Sequence, residues 1–204
     1  MPQMILTGRY VSPFVRRTAV TLTLYGIPFE NKPLSTADHM ADIKAVTPVG
    51  RVPALVLPDG DTLVDSSAII DWADEQAGPA KRLTPASGPE RRRALQLISY
   101  ATTSMDKMVA LAYERGRRPA EKVHEPWVDH LVSQFTGGLK WLDSQKQSPW
   151  LMGEKLSQAD ISAAIAYSFG TLTHKAYVDA TKFPNLARLS ERCEALPAFQ
   201  AAKP

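Results

Sequence analysis

The sequence predicts an α/β first domain followed by an all-helical second domain. Three observations carry that expectation. Over residues 1–80, short apolar runs of strand length alternate with patterns of helical period. A stretch dense in helix breakers follows, Gly78-Pro79-Ala80-Lys81-Arg82-Leu83-Thr84-Pro85-Ala86-Ser87-Gly88-Pro89, and reads as a linker. Over residues 89–204 the strand signal disappears and long helical patterns take its place.

Taken in order, Met4-Ile5-Leu6-Thr7-Gly8 reads as a first strand. Ser12-Pro13 opens a helix, with Ser as the N-cap and Pro at the first helical position. Phe14, Val15, Thr18, Ala19, Leu22 and Tyr25 make its apolar stripe, and Gly26 ends it. Ile27–Asn31 is a second strand, residues 36–46 a short helix, and Thr47-Pro48-Val49-Gly50 its stop. Ala54–Leu57 and Thr62–Val64 flank Pro58-Asp59-Gly60-Asp61, whose Asp-Gly pair marks a hairpin. A helix over about 66–77 closes the unit, giving the order β-α-β-α-β-β-α. Helices over about 89–115, 121–145, 157–170 and 185–195 fill the second half. Within it, Ser157 and Asp160 have the spacing of a capping box, with Leu156 and Ile161 as the apolar pair of a staple.

Composition removes several function classes. With 204 residues, 44% hydrophobic and 22% charged, the chain has the make-up of an ordinary globular protein with a sizeable core. It contains no run of eighteen apolar residues, so no membrane-spanning helix is expected. The N-terminal residues lack a basic segment, a long apolar stretch and a cleavage site, so a cytoplasmic location is expected. The single cysteine, Cys193, forms no internal disulfide and builds no multi-cysteine metal site. His124, His130 and His174 are scattered without a metal-ligand spacing, so no metal is expected. Residues 1–80 hold six Lys/Arg against nine Asp/Glu, and the second half is correspondingly basic within a net charge of +3. Its densest cluster, Arg91-Arg92-Arg93, follows Pro89-Glu90 at a helix start and has no interleaved aromatics, which describes a solvated helix face rather than a nucleic-acid surface. Neither a Gly-x-Gly-x-x-Gly nor a Walker-type loop occurs, so nucleotide binding has no support.

The β-α-β, then β-β-α order resembles that of thioredoxin-like domains. Redox members of that fold carry Cys-x-x-Cys between the first strand and helix, where the helix N-terminus stabilises a thiolate. Here Ser12 and Val15 occupy those positions, and disulfide exchange lacks its sulfur nucleophile. What remains is a hydroxyl at a helix start, able to donate a hydrogen bond to a thiolate brought by a ligand. Val52-Pro53 stands just before the third strand, where Pro is tolerated; a cis bond there would leave the Val52 backbone free to pair with an extended peptide ligand. Asp65-Ser66-Ser67 leads from the fourth strand into a helix: its backbone N–H groups and hydroxyl suit a carboxylate, and Asp65 also suits a plain N-cap.

Together, Ser12-Pro13-Phe14, Gly50-Arg51-Val52-Pro53-Ala54-Leu55, Asp65-Ser66-Ser67-Ala68-Ile69 and Leu156-Ser157-Gln158-Ala159-Asp160-Ile161 closely resemble the soluble glutathione S-transferases, serine-type bacterial members in particular. The resemblance spans essentially the whole chain. It implies glutathione as co-substrate, with Ser12 as the catalytic hydroxyl and the Val52 backbone pairing with the cysteinyl part. It also implies that Ser66 receives the γ-glutamyl carboxylate and Asp65 its ammonium, although many relatives have Glu or Gln at Asp65. Arg51, beside Val52 and Pro53, is a candidate for the glycyl carboxylate; His39 is a weaker one and reads first as a surface histidine. Tyr10, two residues before Ser12, is the rival hydroxyl. Arg16 and Arg17, in the first turn, are either surface charges or a positive field for a bound anion.

The energetics of a hydroxyl-stabilised thiolate are reasonable. A free thiol titrates near ~8.5, and lowering that by about two units takes about 2.7 kcal/mol. A hydrogen bond to a charged acceptor contributes roughly 1.5–3 kcal/mol and a helix N-terminus about 0.3–1 kcal/mol, so no general base is required. The implied reaction is thiolate attack on a small hydrophobic electrophile, with dehalogenation, isomerisation and peroxide reduction as variants on one site, and detoxification as the broad role. The electrophile is expected between the domains. Tyr10, Tyr100, Met105 and Met108 are its candidate wall, with Ser104 and Tyr113 on the same helix; the simpler reading of such a stripe is core. The competing function is a non-catalytic, regulatory binding protein on the same fold. The resemblance further implies a homodimer, with Trp72 and Arg91–Arg93 as interface candidates.

Overall fold

The computed structural model describes residues 4–204; Met1, Pro2 and Gln3, on which part of the leader reading rests, lie outside the described residues. The first unit is a four-stranded sheet in the order β2-β1-β3-β4, built from β1 (Ile5–Thr7), β2 (Glu30–Lys32), β3 (Ala54–Val56) and β4 (Thr62–Val64). β1 and β2 run parallel with Ile5 opposite Glu30, whereas β1–β3 and β3–β4 are antiparallel. The Asp59-Gly60 turn closes the β3–β4 hairpin, with Leu57 N–H on Asp61 O at 2.8 Å. Helices α1 (Pro13–Tyr25) and α3 (Ser66–Ala77) pack together and against strands of the sheet, and α2 (Met40–Val46) joins β2 to β3. Leu6, Val15, Leu22, Leu55 and Ile69 are fully buried and form the core of this unit. The expected β-α-β-α-β-β-α order is the observed one.

Two element starts differ from the expectation, each for a local reason. β2 begins at Glu30 rather than Ile27 because Ile27 still serves α1: its N–H bonds Leu22 O at 3.0 Å beyond the left-handed Gly26 cap. α2 begins at Met40 rather than Thr36 because Ser35 organises a separate turn, accepting Ala37 N–H on its hydroxyl and His39 N–H on its carbonyl.

The second compact unit is Ser87–Glu194, and it is all-helical: α4 (Gly88–Arg117), α5 (Glu125–Asp143), α6 (Gln158–Thr173) and α7 (Pro184–Glu194). α4 packs on α5 and α6, and α6 on α7. Gly138 permits close approach of α5 to α4, since an added Cβ would lie 2.3 Å from Ser104 Oγ. The helix expected over 121–145 is instead a short 3-10 turn, Ala120–Lys122, followed by α5, because Pro126 favours a new helix start over continuation. Asp160 completes the predicted capping box. Its carboxylate accepts from Ser157 N (2.9 Å) and Ser157 Oγ (2.6 Å), and it also holds Leu151 N (2.7 Å), so one side chain pins the loop as well as the helix.

The boundary differs from the expected division into 1–80 and 89–204. The linker residues up to Ala86 belong to the first unit, and so do Ala195–Pro204, which contain an unanticipated short helix, α8 (Pro197–Ala201). The linker is held by a partly buried polar cluster: the Tyr25 hydroxyl donates to Asp74, and Leu83 N–H bonds that hydroxyl at 2.7 Å. The C-terminal segment is held by α1: Phe199 is buried, the Arg16 guanidinium sits 5.5 Å from its ring, and Arg16 Nε donates to Ala202 O at 2.9 Å.

Candidate active site

The site is built where three chain segments of the first unit meet: the exit of β1, the first turn of α1 and the approach to β3. Gly8 makes that meeting possible. Its φ is +129°, and an added Cβ would lie 2.5 Å from Val15 Cγ2 and 3.0 Å from Val52 Cβ. No side chain fits between the helix start and the Val52 segment. Asn31 secures the same corner by donating to Leu6 O and Gly8 O.

Ser12 is the N-cap of α1, half-buried, with extended backbone; its Oγ accepts from Val15 N–H at the long distance of 3.5 Å. A hydroxyl used in that way keeps its own proton available for donation. A cleft of about 140 Å³ is lined by Phe14, Val49, Arg51, Val52, Pro53, Val64, Asp65 and Ser66. The structure therefore brings Arg51, Val52, Pro53, Asp65 and Ser66 to one cleft, together with Phe14 from the turn that Ser12 caps. Ser12 itself is not in that lining. The Val52–Pro53 peptide bond is cis.

Asp65 caps α3, accepting Ser67 N–H at 2.8 Å while remaining exposed, so the capping role is real. It is the single non-glycine residue with positive φ among the described residues, at φ 76° and ψ 135°. Such a backbone costs of order 1–3 kcal/mol in a residue other than glycine. Ser66 is 2% exposed, and its Oγ accepts from Arg17 Nη1 at 3.0 Å. Burial pulls the Arg17 guanidinium down to about 10, opposed by the nearby Asp65 carboxylate.

The other expected residues lie elsewhere. Tyr10 lines a separate groove of about 390 Å³ with Thr23, Gly26, Ile27, Pro28, Phe29, Asn31, Ala201 and Ala202, and burial raises its phenol. His39 is structural: its Nδ1 accepts Ser35 N–H at 3.3 Å. Neither Arg16 nor Arg17 is a surface charge, since both side chains are buried. In the helical unit, Met105 and Met108 are 0% exposed and have no surface to offer a ligand. Their stripe is core. Gly170 accounts for part of this, because an added Cβ there would lie 3.1 Å from Met108 Sδ. Ser104 is buried and bonds Tyr100 O, whereas Tyr100 is exposed and stacks on Trp141 at 3.8 Å. Tyr113 is exposed under the Arg117 guanidinium. Trp72 is half-buried, and Arg93 is tied to Gln145 and lies over Trp141. His174 is buried and bonds Met108 O at 2.8 Å through Nε2, while His124 and His130 are exposed. Among the described residues no three metal-ligating side chains cluster, and no helix is long and apolar enough to cross a membrane.

Sequence reasoning missed Phe14, Val49 and Val64 as lining residues, having assigned Phe14 to the apolar stripe of α1. It also missed the Arg17–Ser66 bond, whose partners are 49 residues apart. The only sequence sign was a cation within a helix that otherwise faces a core.

A thioredoxin-like α/β unit with serine where the redox fold carries cysteine, a cleft lined by Arg51, Val52, Asp65 and Ser66, and an all-helical unit in the rest of the chain define a two-unit class of fold. Comparison with known proteins agrees. The family model described as "Glutathione S-transferase, N-terminal domain" matches residues 6–81, and that described as "Glutathione S-transferase, C-terminal domain" matches residues 103–201. The chain belongs to the glutathione S-transferase family. It is 30% identical to a zeta-class glutathione S-transferase of Euphorbia esula, over 100% of this chain and 91% of that protein. It is 25% identical to a probable maleylacetoacetate isomerase of Drosophila melanogaster, over 99% and 88% respectively. Among solved structures, a Methylobacterium radiotolerans glutathione S-transferase in complex with glutathione sulfonate superposes with a TM-score of 0.92 at 26% identity, covering 100% of this chain and 95% of that one.

Proposed function

We propose that the protein is a glutathione transferase that binds glutathione in the Val52–Ser66 cleft and directs its thiolate at a small hydrophobic electrophile. The observation that carries this is the convergence of Arg51, Val52, Pro53, Asp65 and Ser66 on one cleft, with Phe14 from the α1 turn beside them. In this reading the extended ligand pairs its cysteinyl backbone with Val52, and its γ-glutamyl end meets Ser66 and Asp65. Arg51, exposed at the cleft, neutralises the glycyl carboxylate. Ser12 Oγ donates to the thiolate, and the start of α1 adds its positive end. Attack on the electrophile then proceeds from a positioned anion, with orientation and electrostatic stabilisation as the main catalytic effects.

The names borne by the relatives favour one variant, isomerisation, in which the thiolate adds to a conjugated double bond, the bond rotates, and the thiolate leaves again. Glutathione is regenerated and atoms balance without a further reactant. Calorimetric titration with glutathione tests the binding reading, and assays with an aryl halide and with maleylacetoacetate test the chemistry. Saturable heat together with turnover of either substrate is expected. Saturable heat with turnover of neither favours the non-catalytic regulatory protein, and no heat at millimolar glutathione overturns the assignment. The same family reading makes the protein a homodimer in the cytoplasm; light scattering that returns a mass near 22 kDa would refute the dimer.

A further inference from the structure

We infer that Val49 is a specificity-determining residue for the third residue of the tripeptide, so that the cleft takes γ-glutamyl-cysteinyl peptides ending in an apolar amino acid in preference to glutathione itself; this rests on the glutathione reading of the cleft. Val49 is 63% exposed, more than any other large apolar side chain among the described residues, and it lines the cleft together with Arg51. Its backbone is fixed. Thr47 N–H bonds Ile43 O at 2.9 Å and Gly50 N–H bonds Thr47 O at 3.0 Å, so the turn over residues 47–50 is anchored on the end of α2. Gly50, at φ +66°, lies so close to α2 that an added Cβ would be 3.0 Å from Met40 Sδ. A β-branched side chain has little rotamer freedom to lose, so the turn presents a stiff apolar surface at the rim.

The hairpin register decides which part of the ligand meets that rim. Ala54 is opposite Val64, so Pro53 and Asp65 follow that pair at its open end, and Arg51 and Val49 lie further up the same chain, beyond Val52. A peptide with its γ-glutamyl end at Asp65 and Ser66 and its cysteinyl backbone on Val52 therefore brings its third residue to Arg51 and Val49. The two side chains there differ in kind. A guanidinium suits the terminal carboxylate, and a valine suits an alkyl group that leaves water against it. An α-amino acid with an apolar side chain carries both groups on one carbon, whereas glycine answers only the first.

Dissociation constants measured by calorimetry for three tripeptides test this: glutathione, γ-glutamyl-cysteinyl-valine, and γ-glutamyl-cysteinyl-threonine, which has valine's shape with a hydroxyl in place of one methyl. One methylene in a closed apolar pocket discriminates by about tenfold or more, and Val49 is one wall of an open rim. The valine peptide is therefore expected to bind about fivefold more tightly than glutathione, and the threonine peptide within about twofold of it. Val49→Thr is expected to bring the valine-to-glutathione ratio to about one, and Val49→Leu, which keeps the apolar surface, to hold it at about fivefold. In wild-type turnover the advantage is expected in KM rather than kcat, because the thiolate end is the same in all three peptides. A valine peptide that binds no more tightly than glutathione, a threonine peptide that matches the valine one, or a ratio that survives Val49→Thr overturns the role of Val49 and leaves glutathione binding in the cleft intact. Wild-type protein that binds none of the three overturns the reading of the cleft itself, and Val49 with it.

Discussion

Ser12 and Tyr10 stand two residues apart, yet only Ser12 occupies a helix N-terminus; Tyr10 faces the groove beside Pro28 and Ala202, and burial pushes its phenol toward the neutral form. Ser12→Ala should therefore return the ligand thiol toward its ordinary pKa of ~8.5, cutting turnover at pH 7 by about ten- to a hundredfold and moving the rising limb of the pH–rate profile alkaline by up to about two units. Tyr10→Phe should change both little. Equal small losses in the two variants would remove Ser12 from the mechanism. His174 carries a different pH signature. Burial lowers its pKa, outweighing the bond to Met108 O, so the unfolded chain binds the proton more tightly than the folded one. The stability contributed by the neutral ring is complete above about pH 6.5 and is lost as pH falls from there through the depressed folded value. Denaturant midpoints between pH 5 and 8 should accordingly slope less steeply on the acid side in His174→Gln than in the wild type; parallel profiles would contradict this.

Among the elements, α6 depends on one carboxylate for two jobs. Asp160 is fully buried and accepts from Leu151 N, Ser157 N and Ser157 Oγ. Asp160→Ala strands two backbone donors, each costing about 1–3 kcal/mol when left buried and unpaired, so a loss of about 2–4 kcal/mol is expected in chemical denaturation. A loss below about 0.5 kcal/mol would mean that water replaces the carboxylate freely. The capping half of this role was readable from Ser157-Gln158-Ala159-Asp160, since a box is a short-range pattern. The bond to Leu151 was not, because the loop between has no period to place it. The same contrast explains the starts of β2 and α5: strand and helix types followed from periodicity, whereas the exact first residue was decided by Ile27 closing α1 and by Pro126 opening a new helix.

At the scale of the whole molecule, the chain end returns to the unit where it began. Phe199 is 0% exposed, lies under Arg16, and brings Ala202 O to Arg16 Nε. Phe199→Ala is expected to cost about 3–5 kcal/mol, the range for emptying a buried aromatic site, and to unfold the α/β unit at a lower denaturant concentration. Protease mapping or exchange that placed the loss in α4–α6 instead would contradict the assignment of the C-terminus to the first unit.

What the sequence determined alone is everything that short-range physics writes into neighbouring residues: the order of strands and helices, the Ser12 and Asp65 caps, the Asp59-Gly60 hairpin turn, the capping box, and the spacing of motifs that marks the family. What tertiary structure decided is which distant groups share a site. It buried Met105 and Met108, which sequence had offered as a ligand wall, and it turned Arg17 inward onto Ser66. Periodicity states that a residue faces a neighbour but not which neighbour, and a cation's partner 49 positions away is settled only when the sheet brings α1 beside α3 and burial makes an unpaired charge too costly to leave alone.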